Sequence, residues 1–259
     1  MNYPDLIAQV KEIALVAGQI IMDVYNDEEN FQITQKSDDS PLTIADRKAN
    51  TYICEQLAQL PISYPIISEE NKEVPYDVRK DYAYYWLVDP LDGTKEFIKR
   101  NGDFTVNIAL IHAGEPVMGV VFAPCLEELY WAIKGQGAQL QKAGNLKKLE
   151  VLSYKITDKA LKLVASRSHL SEETQNFIDQ LAQPILVSKG SSLKFLMLAN
   201  AEAHIYPRMA PTMEWDTAAA QVVLTEAGGA VLDANTGKTL QYNKENMLNP
   251  WFIAKGLEL

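Results

Sequence analysis

An apolar run that ends in an acid limits most sharply how this chain can fold. Residues 84–88, Tyr-Tyr-Trp-Leu-Val, read as a central strand and lead directly into Asp89-Pro-Leu-Asp-Gly-Thr94. Pro90 forces the chain out of line, and Gly93 permits a tight turn three residues later. That arrangement can bring Asp89 and Asp92 around one point and leave the Leu91 carbonyl unpaired and available. Two carboxylates about 4 Å apart repel by about 4 kcal/mol at an effective dielectric of about 20. A cation between them removes that cost, and an all-oxygen donor set suits Mg2+ or Mn2+ better than zinc. Read alone, however, an Asp-x-x-Asp is more often a turn whose acids cap the following helix.

Two further segments supply carboxylates. Ser68-Glu69-Glu70 closes the preceding apolar run, and Trp215-Asp216-Thr217 opens a helix nearer the C-terminus, where Asp216 also suits an N-cap. Thr43-x-x-Asp46 fits a capping box. Spacing by itself does not establish that these acids meet.

The remaining pattern is a layered mixture of helix and strand. Leu6, Val10, Ala14, Ala17, Ile21 and Val24 recur at helical spacing, and a second helix beginning near Thr43 buries Ala45, Ala49, Ile53, Leu57 and Leu60. Between them the polar stretch 26–40 reads as a loop or an irregular hairpin. Phe104, Val106, Ile108 and Leu110 alternate with Thr105, Asn107 and Ala109, and strands 117–122 and 129–133 continue an antiparallel meander. Beyond residue 150 strands (161–165, 185–187, 203–206) alternate with helices (172–181, 193–201, 216–227). This order divides the chain into an N-terminal α+β lobe, 1–150, and a C-terminal α/β lobe, 151–259, with helical layers separated by sheets.

Charge narrows the function classes. Lys and Arg total 24 against 34 Asp and Glu, and the net charge of −10 repels a nucleic-acid backbone. The longest uncharged run, 56–68, contains two prolines, so no membrane-spanning helix is expected. The opening residues lack the basic region of a signal peptide, and Cys54 and Cys125 are the only cysteines. These features lead to the expectation of a cytoplasmic protein.

Taken together, Glu69-Glu70, Asp89-Pro-Leu-Asp-Gly-Thr94 and Trp215-Asp-Thr-Ala218 resemble the signature of the inositol monophosphatase superfamily. The continuation Lys95-Glu96-Phe97 resembles its bisphosphate-nucleotidase branch, where inositol phosphatases more often carry an Asn-Phe pair. Ser166-Arg-Ser-His169, Gly190-Ser-Ser-Leu-Lys194 and Tyr206-Pro-Arg208 are similar to segments of the same branch.

The resemblance implies an α-β-α-β-α sandwich and a Mg2+-dependent phosphomonoesterase. Its substrate would be the 3′-phosphate of adenosine 3′,5′-bisphosphate, with 3′-phosphoadenylyl sulfate as a second substrate, in sulfate assimilation and nucleotide recycling. It also implies sensitivity to Li+ and, in some members, peripheral contact with the cytoplasmic face of the inner membrane. Glu69, Asp89, the Leu91 carbonyl, Asp92 and Asp216 would hold two or three Mg2+ ions, with Mn2+ as a substitute. Thr94 and Asp46, assisted by Glu69, would activate water, and the Gly93 and Thr94 amides would receive phosphate. His169, Gly190 and Lys194 would contact the nucleotide, and Arg208 would suit its 5′-phosphate.

The alternatives are an inositol monophosphatase or sugar bisphosphatase on the same site, and a non-catalytic phosphate- or metal-sensing protein. Other phosphate chemistries fit poorly. A haloacid-dehalogenase pair needs acids two residues apart, Gly237-Lys-Thr239 lacks the earlier P-loop glycine, and His112, His169 and His204 have no zinc spacing. Oligomeric state is not legible in the sequence.

Overall fold

The computed structural model describes residues 3–27, 33–35, 41–165 and 171–259. Helix α1 (Tyr3–Asn26) leads to a short antiparallel pair, β1 (Ile33–Gln35) and β2 (Pro41–Thr43), and then to α2 (Ile44–Ala58). Much of the polar stretch 26–40 lies outside the described residues. The helical spacing of α1 holds, since Leu6, Val10, Ala14, Ala17 and Ile21 are buried and Val24 is partly so. α2 buries the expected Ala45, Ala49, Ile53 and Leu57, and places Asp46 and Asn50 on the same inward face.

The chain continues through β3 (Ile66–Ser68), α3 (Tyr76–Arg79), β4 (Tyr84–Asp92), α4 (Thr94–Ile98) and β5 (Thr105–His112). Strands β6 (Glu115–Ala123), β7 (Glu128–Ile133), β8 (Ala138–Lys142) and β9 (Asn145–Lys148) complete a seven-stranded sheet in chain order. β3 is parallel to β4, and every later pair is antiparallel. The meander is thus two strands longer than its apolar pattern indicates.

The later half supplies β10 (Ser153–Tyr154), β11 (Lys162–Ala165), α5 (Glu172–Asp179), β12 (Ile185–Ser188) and α6 (Leu193–Ala199). It ends with β13 (Ile205–Arg208), α7 (Glu214–Glu226), β14 (Ala230–Asp233), β15 (Phe252–Lys255) and β16 (Leu257–Glu258). A five-stranded sheet has the order β12-β11-β13-β15-β14; its first three strands are parallel and β15 opposes both neighbours.

Packing stacks these elements as α1 and α2, the large sheet, α6 and α7, the small sheet, and α5. The large sheet is therefore covered on both faces. Trp86, Val88, Val106, Ile108 and Leu110 join the core beneath α1 and α2, while Tyr85, Leu87, Ala109 and Ile111 join the core around α7. Such a sheet reads as nearly continuous apolar sequence, as β4 does.

α7 buries Ala218, Ala219, Ala220, Val222, Val223 and Leu224, because it lies between two sheets. Its approach to β6 depends on Gly119, where an added Cβ would sit 2.3 Å from the Ala219 carbonyl oxygen. Among the described residues no helix is long and apolar enough to cross a membrane, and both cysteine thiols are free.

Candidate active site

β4 does not end at Val88. It continues through Pro90 and Leu91 to Asp92, and its register against β5 slips between Asp89, opposite Asn107, and Asp92, opposite Thr105. The expected break at Pro90 is therefore a bulge, one of the few places where a sheet accommodates proline. Asp89 is 1% exposed, and its Oδ1 accepts a hydrogen bond from Leu91 N at 3.1 Å.

Gly93 follows with φ of 96° and caps α4. A Cβ there would lie 2.9 Å from the Asp103 carbonyl oxygen, so both the turn and the packing select glycine. This turn brings Thr94 back over the strand end, where its Oγ1 donates to the Leu91 carbonyl at 3.3 Å. The sequence expectation of an unpaired Leu91 carbonyl is corrected accordingly.

Glu69 is tied to the same place by its backbone, since Glu69 N donates to Val88 O at 3.2 Å, next to Asp89. Its flanks are pinned to α2. Ser68 Oγ donates to Asn50 Oδ1 at 2.7 Å, and Asn50 Nδ2 donates to Asn71 Oδ1 at 2.9 Å. Asp46, one turn before Asn50, is fully buried. Asp216 is the third residue of α7 rather than the cap itself, and its Oδ2 accepts from Met213 N at 2.9 Å. The capping interaction and a place in the cleft coexist. Glu69, Asp89, Leu91, Asp92, Thr94 and Asp216 line one cavity of about 380 Å3.

The electrostatics of this cavity are unfavourable to the chain alone. Burial, and then the charges of Glu69, Asp92, Asp216 and Asp46, raise Asp89 well above the usual carboxylate range. Burial and the neighbouring Asp92 push Asp216 up to about 8. Low dielectric and like charge each disfavour ionisation.

Asp89, Asp92 and Asp216 each use one oxygen for a protein donor. Among the described residues their other oxygens carry no hydrogen bond. The residues fit a hard divalent cation in donor chemistry: all are oxygens, several are buried, and their mutual repulsion falls when positive charge is present. Among the described residues, however, no three His, Cys, Asp or Glu side chains already form a closed cage. The carboxylates frame the cavity and do not yet converge on one point.

A smaller cavity, about 150 Å3, shares Asp92, Ser191 and Asp216 with the first and adds Lys194, Tyr206 and Arg208. Lys194 is 8% exposed, and its Nζ donates to Ser191 O at 2.7 Å. Burial lowers it to about 8, against the opposing pull of Asp92. Arg208 Nη2 donates to Pro211 O at 3.1 Å.

Gly190 does not open a gap toward this cavity. A Cβ on it would meet Glu96 Cγ at 2.7 Å and Asp103 Cβ at 2.9 Å, and its N–H donates to Asp103 Oδ2 at 3.1 Å. The close approach expected there is to the protein's own side chains. His169 lies outside the described residues. The other two histidines are far apart in role: His112 stacks on Tyr84, and His204 Nδ1 accepts from Lys162 N.

Sequence reasoning missed the residues that hold Asp92. Its Oδ2 lies 2.7 Å from Ser191 Oγ, 2.7 Å from Ser192 N, 2.9 Å from Ser192 Oγ and 3.4 Å from Asn107 Nδ2. The available signal was Asn107, a polar side chain in the middle of an apolar strand.

The model of the Inositol monophosphatase family matches residues 3–256. The chain is 45% identical over 248 residues to the 3′(2′),5′-bisphosphate nucleotidase CysQ of Salmonella typhimurium, covering 95% of this chain and 98% of the relative. It is 44% identical over the same length to the protein of that name from Escherichia coli K12. The crystal structure of CysQ from Bacteroides thetaiotaomicron superposes with a TM-score of 0.83 at 42% identity, covering 99% of this chain and 98% of that one. At 24% identity, the suhB extragenic suppressor protein of Bartonella henselae shares the fold with a TM-score of 0.79, covering 97% of this chain and 94% of that one.

Proposed function

The chain belongs to the inositol monophosphatase family, and we propose that it is a 3′(2′),5′-bisphosphate nucleotidase, releasing the 3′-phosphate of adenosine 3′,5′-bisphosphate to give AMP. The observation that carries this reading is the junction of two cavities, one lined by carboxylates and one by Lys194 and Arg208, across the shared Asp92 and Asp216. A bisphosphate brings about four negative charges, taking −1.5 to −2 for each monoester. An acidic protein needs local positive charge at two points to hold it. 3′-Phosphoadenylyl sulfate presents the same ribose phosphate and is a second substrate.

Enzymes of this family depend on Mg2+. Glu69, Asp89, the Leu91 carbonyl, Asp92 and Asp216 would hold two or three ions. Bound there, the ions supply a positive clamp for the oxygens of an in-line displacement and offset the carboxylate repulsion.

The chain's own groups divide the remaining work. The Gly93 and Thr94 amides begin a helix, so they have no intrahelical acceptor and are available to a phosphate oxygen. Thr94 Oγ1 carries one proton, directed at Leu91 O in this structure. Turned toward Asp46, the hydroxyl accepts from the attacking water and orients it, while Asp46 takes up the proton. Glu69 borders the same water. Lys194 and Arg208 hold the 5′-phosphate end.

Phosphate release from adenosine 3′,5′-bisphosphate, inositol 1-phosphate and fructose 1,6-bisphosphate with Mg2+ tests the reading. The nucleotide should have the highest kcat/KM by at least about tenfold, the worth of one charge-assisted contact. A higher value for inositol 1-phosphate would assign the site to the inositol phosphatases.

A further inference from the structure

Ser192 joins two parts of the site that come from distant points in the sequence. Its Oγ lies 2.9 Å from Asp92 Oδ2 on β4 and 3.0 Å from the Asp216 carbonyl oxygen on α7. It also accepts from Asn107 Nδ2 at 2.9 Å, and its backbone N–H donates to Asp92 Oδ2 at 2.7 Å. Ser192 is 1% exposed and lines neither cavity, whereas Ser191 lines both. It therefore does not touch a ligand in either one.

A count of protons shows how the cluster works. Thr105, Ser191 and Ser192 have one hydroxyl proton each. Their contacts are Thr105 with Asn107 Oδ1 and Ser191, Ser191 with Asp92, and Ser192 with Asp92 and Asp216 O. Three protons cannot satisfy five contacts at once. The Ser192 N–H already donates to Asp92 Oδ2, and the protons of Ser191 and Ser192 go to the same oxygen, with Asn107 supporting Ser192 from behind. Oδ2 becomes saturated with donors, and among the described residues Oδ1 is left without one.

We propose that Ser192 is a positioning residue that fixes which oxygen of Asp92 is offered to a divalent cation. The proposal rests on the assignment of Asp92 as a metal ligand. Groups that orient ligands from behind a metal site typically change metal affinity by 10–100-fold when removed.

The test measures Mn2+ binding directly, from the electron paramagnetic resonance signal of the free ion, alongside Mg2+ activation and the melting temperature of the metal-free protein. Ser192→Ala should weaken Mn2+ binding roughly tenfold and raise the Mg2+ needed for half-maximal activity to a similar degree. The loss of kcat should be much smaller at saturating Mg2+ than at low Mg2+, and the metal-free melting temperature should stay near wild type. Asn107→Ser, which keeps Ser192 but strips its support, should shift binding in the same direction by less; it serves as the deciding variant if Ser192→Ala fails to fold.

Unchanged Mn2+ affinity in these variants, with binding lost in Asp92→Asn, would overturn the positioning role and leave the ligand assignment standing. Wild-type affinity in Asp92→Asn itself would remove the ligand assignment, and the proposal with it.

Discussion

Two adjoining cavities share Asp92, Ser191 and Asp216 but differ in what else lines them: Glu69 and Asp89 in the larger, Lys194 and Arg208 in the smaller. In the larger, Asp89 and Asp216 are raised by burial and by each other's neighbours, so the chain alone holds that cluster of acids at a cost. In the smaller, Lys194 and Arg208 donate to backbone carbonyls, and among the described residues neither makes an ion pair with a carboxylate. On the proposed function, the larger cavity takes a cation from solution and the basic side chains of the smaller meet an anionic group of the substrate. The difference separates chemistry from recognition, and that separation can be broken experimentally.

The largest effect should come from Asp92→Asn. Removing one charge from the acidic cavity should lower turnover by about three orders of magnitude, comparable to losing a principal transition-state contact. The metal-free protein should keep or gain melting temperature, since carboxylate repulsion falls and no core volume is lost. Near wild-type turnover at saturating Mg2+ would show that the acidic cavity is not the catalytic one.

Thr94→Ala should follow, with kcat reduced by about 10²–10³ and KM changed little, because a water-orienting hydroxyl acts mainly on the transition state. Thr94→Ser keeps the hydroxyl and should keep much of the rate. A serine variant as inactive as alanine would place Thr94 in the turn's structure and not in the reaction.

The acidic cavity was the more legible of the two in the sequence, for a physical reason. Asp89, Asp92 and Gly93 act within one turn, so their geometry is set locally. Glu69 and Asp216 reach them only through β3–β4 pairing and the packing of α7, which spacing cannot reveal. Alternation marked Thr105 and Asn107 as the more polar side of β5 but said nothing of what covers it. Both are buried, at 0% and 1% exposure, where Ser191 and Ser192 come from far along the chain to hydrogen-bond with them. β8 and β9 escaped notice because Gln139, Gln141, Lys147 and Lys148 dilute their apolar pattern. Pro90 was read as a break because proline removes a ladder donor, and a bulge removes the need for one.

In the basic cavity, Lys194→Ala should raise KM for adenosine 3′,5′-bisphosphate roughly tenfold or more, the usual worth of a charged hydrogen bond. A small phosphate ester without the nucleoside should be hardly affected. Equal losses on both substrates would join the two cavities into one functional unit and remove the distinction between them.

The smallest effect concerns pH. Burial lowers Lys194 to about 8, so its ammonium loses its proton as the pH rises through that value, well below an ordinary lysine. Only the charged form attracts the 5′-phosphate, so KM for the bisphosphate should be lowest below pH 8 and rise several-fold between about pH 7 and pH 9. Bound phosphate favours the ammonium, so kcat, measured with substrate saturating, should change less over the same interval. Lys194→Arg keeps its charge throughout and should flatten the KM profile, even where its longer fork fits the cavity less well. Steady-state kinetics at fixed ionic strength, with the small ester as control, resolves the point. A rise in KM that persists in Lys194→Arg, or that appears equally for the ester, would place the titrating group in the acidic cavity.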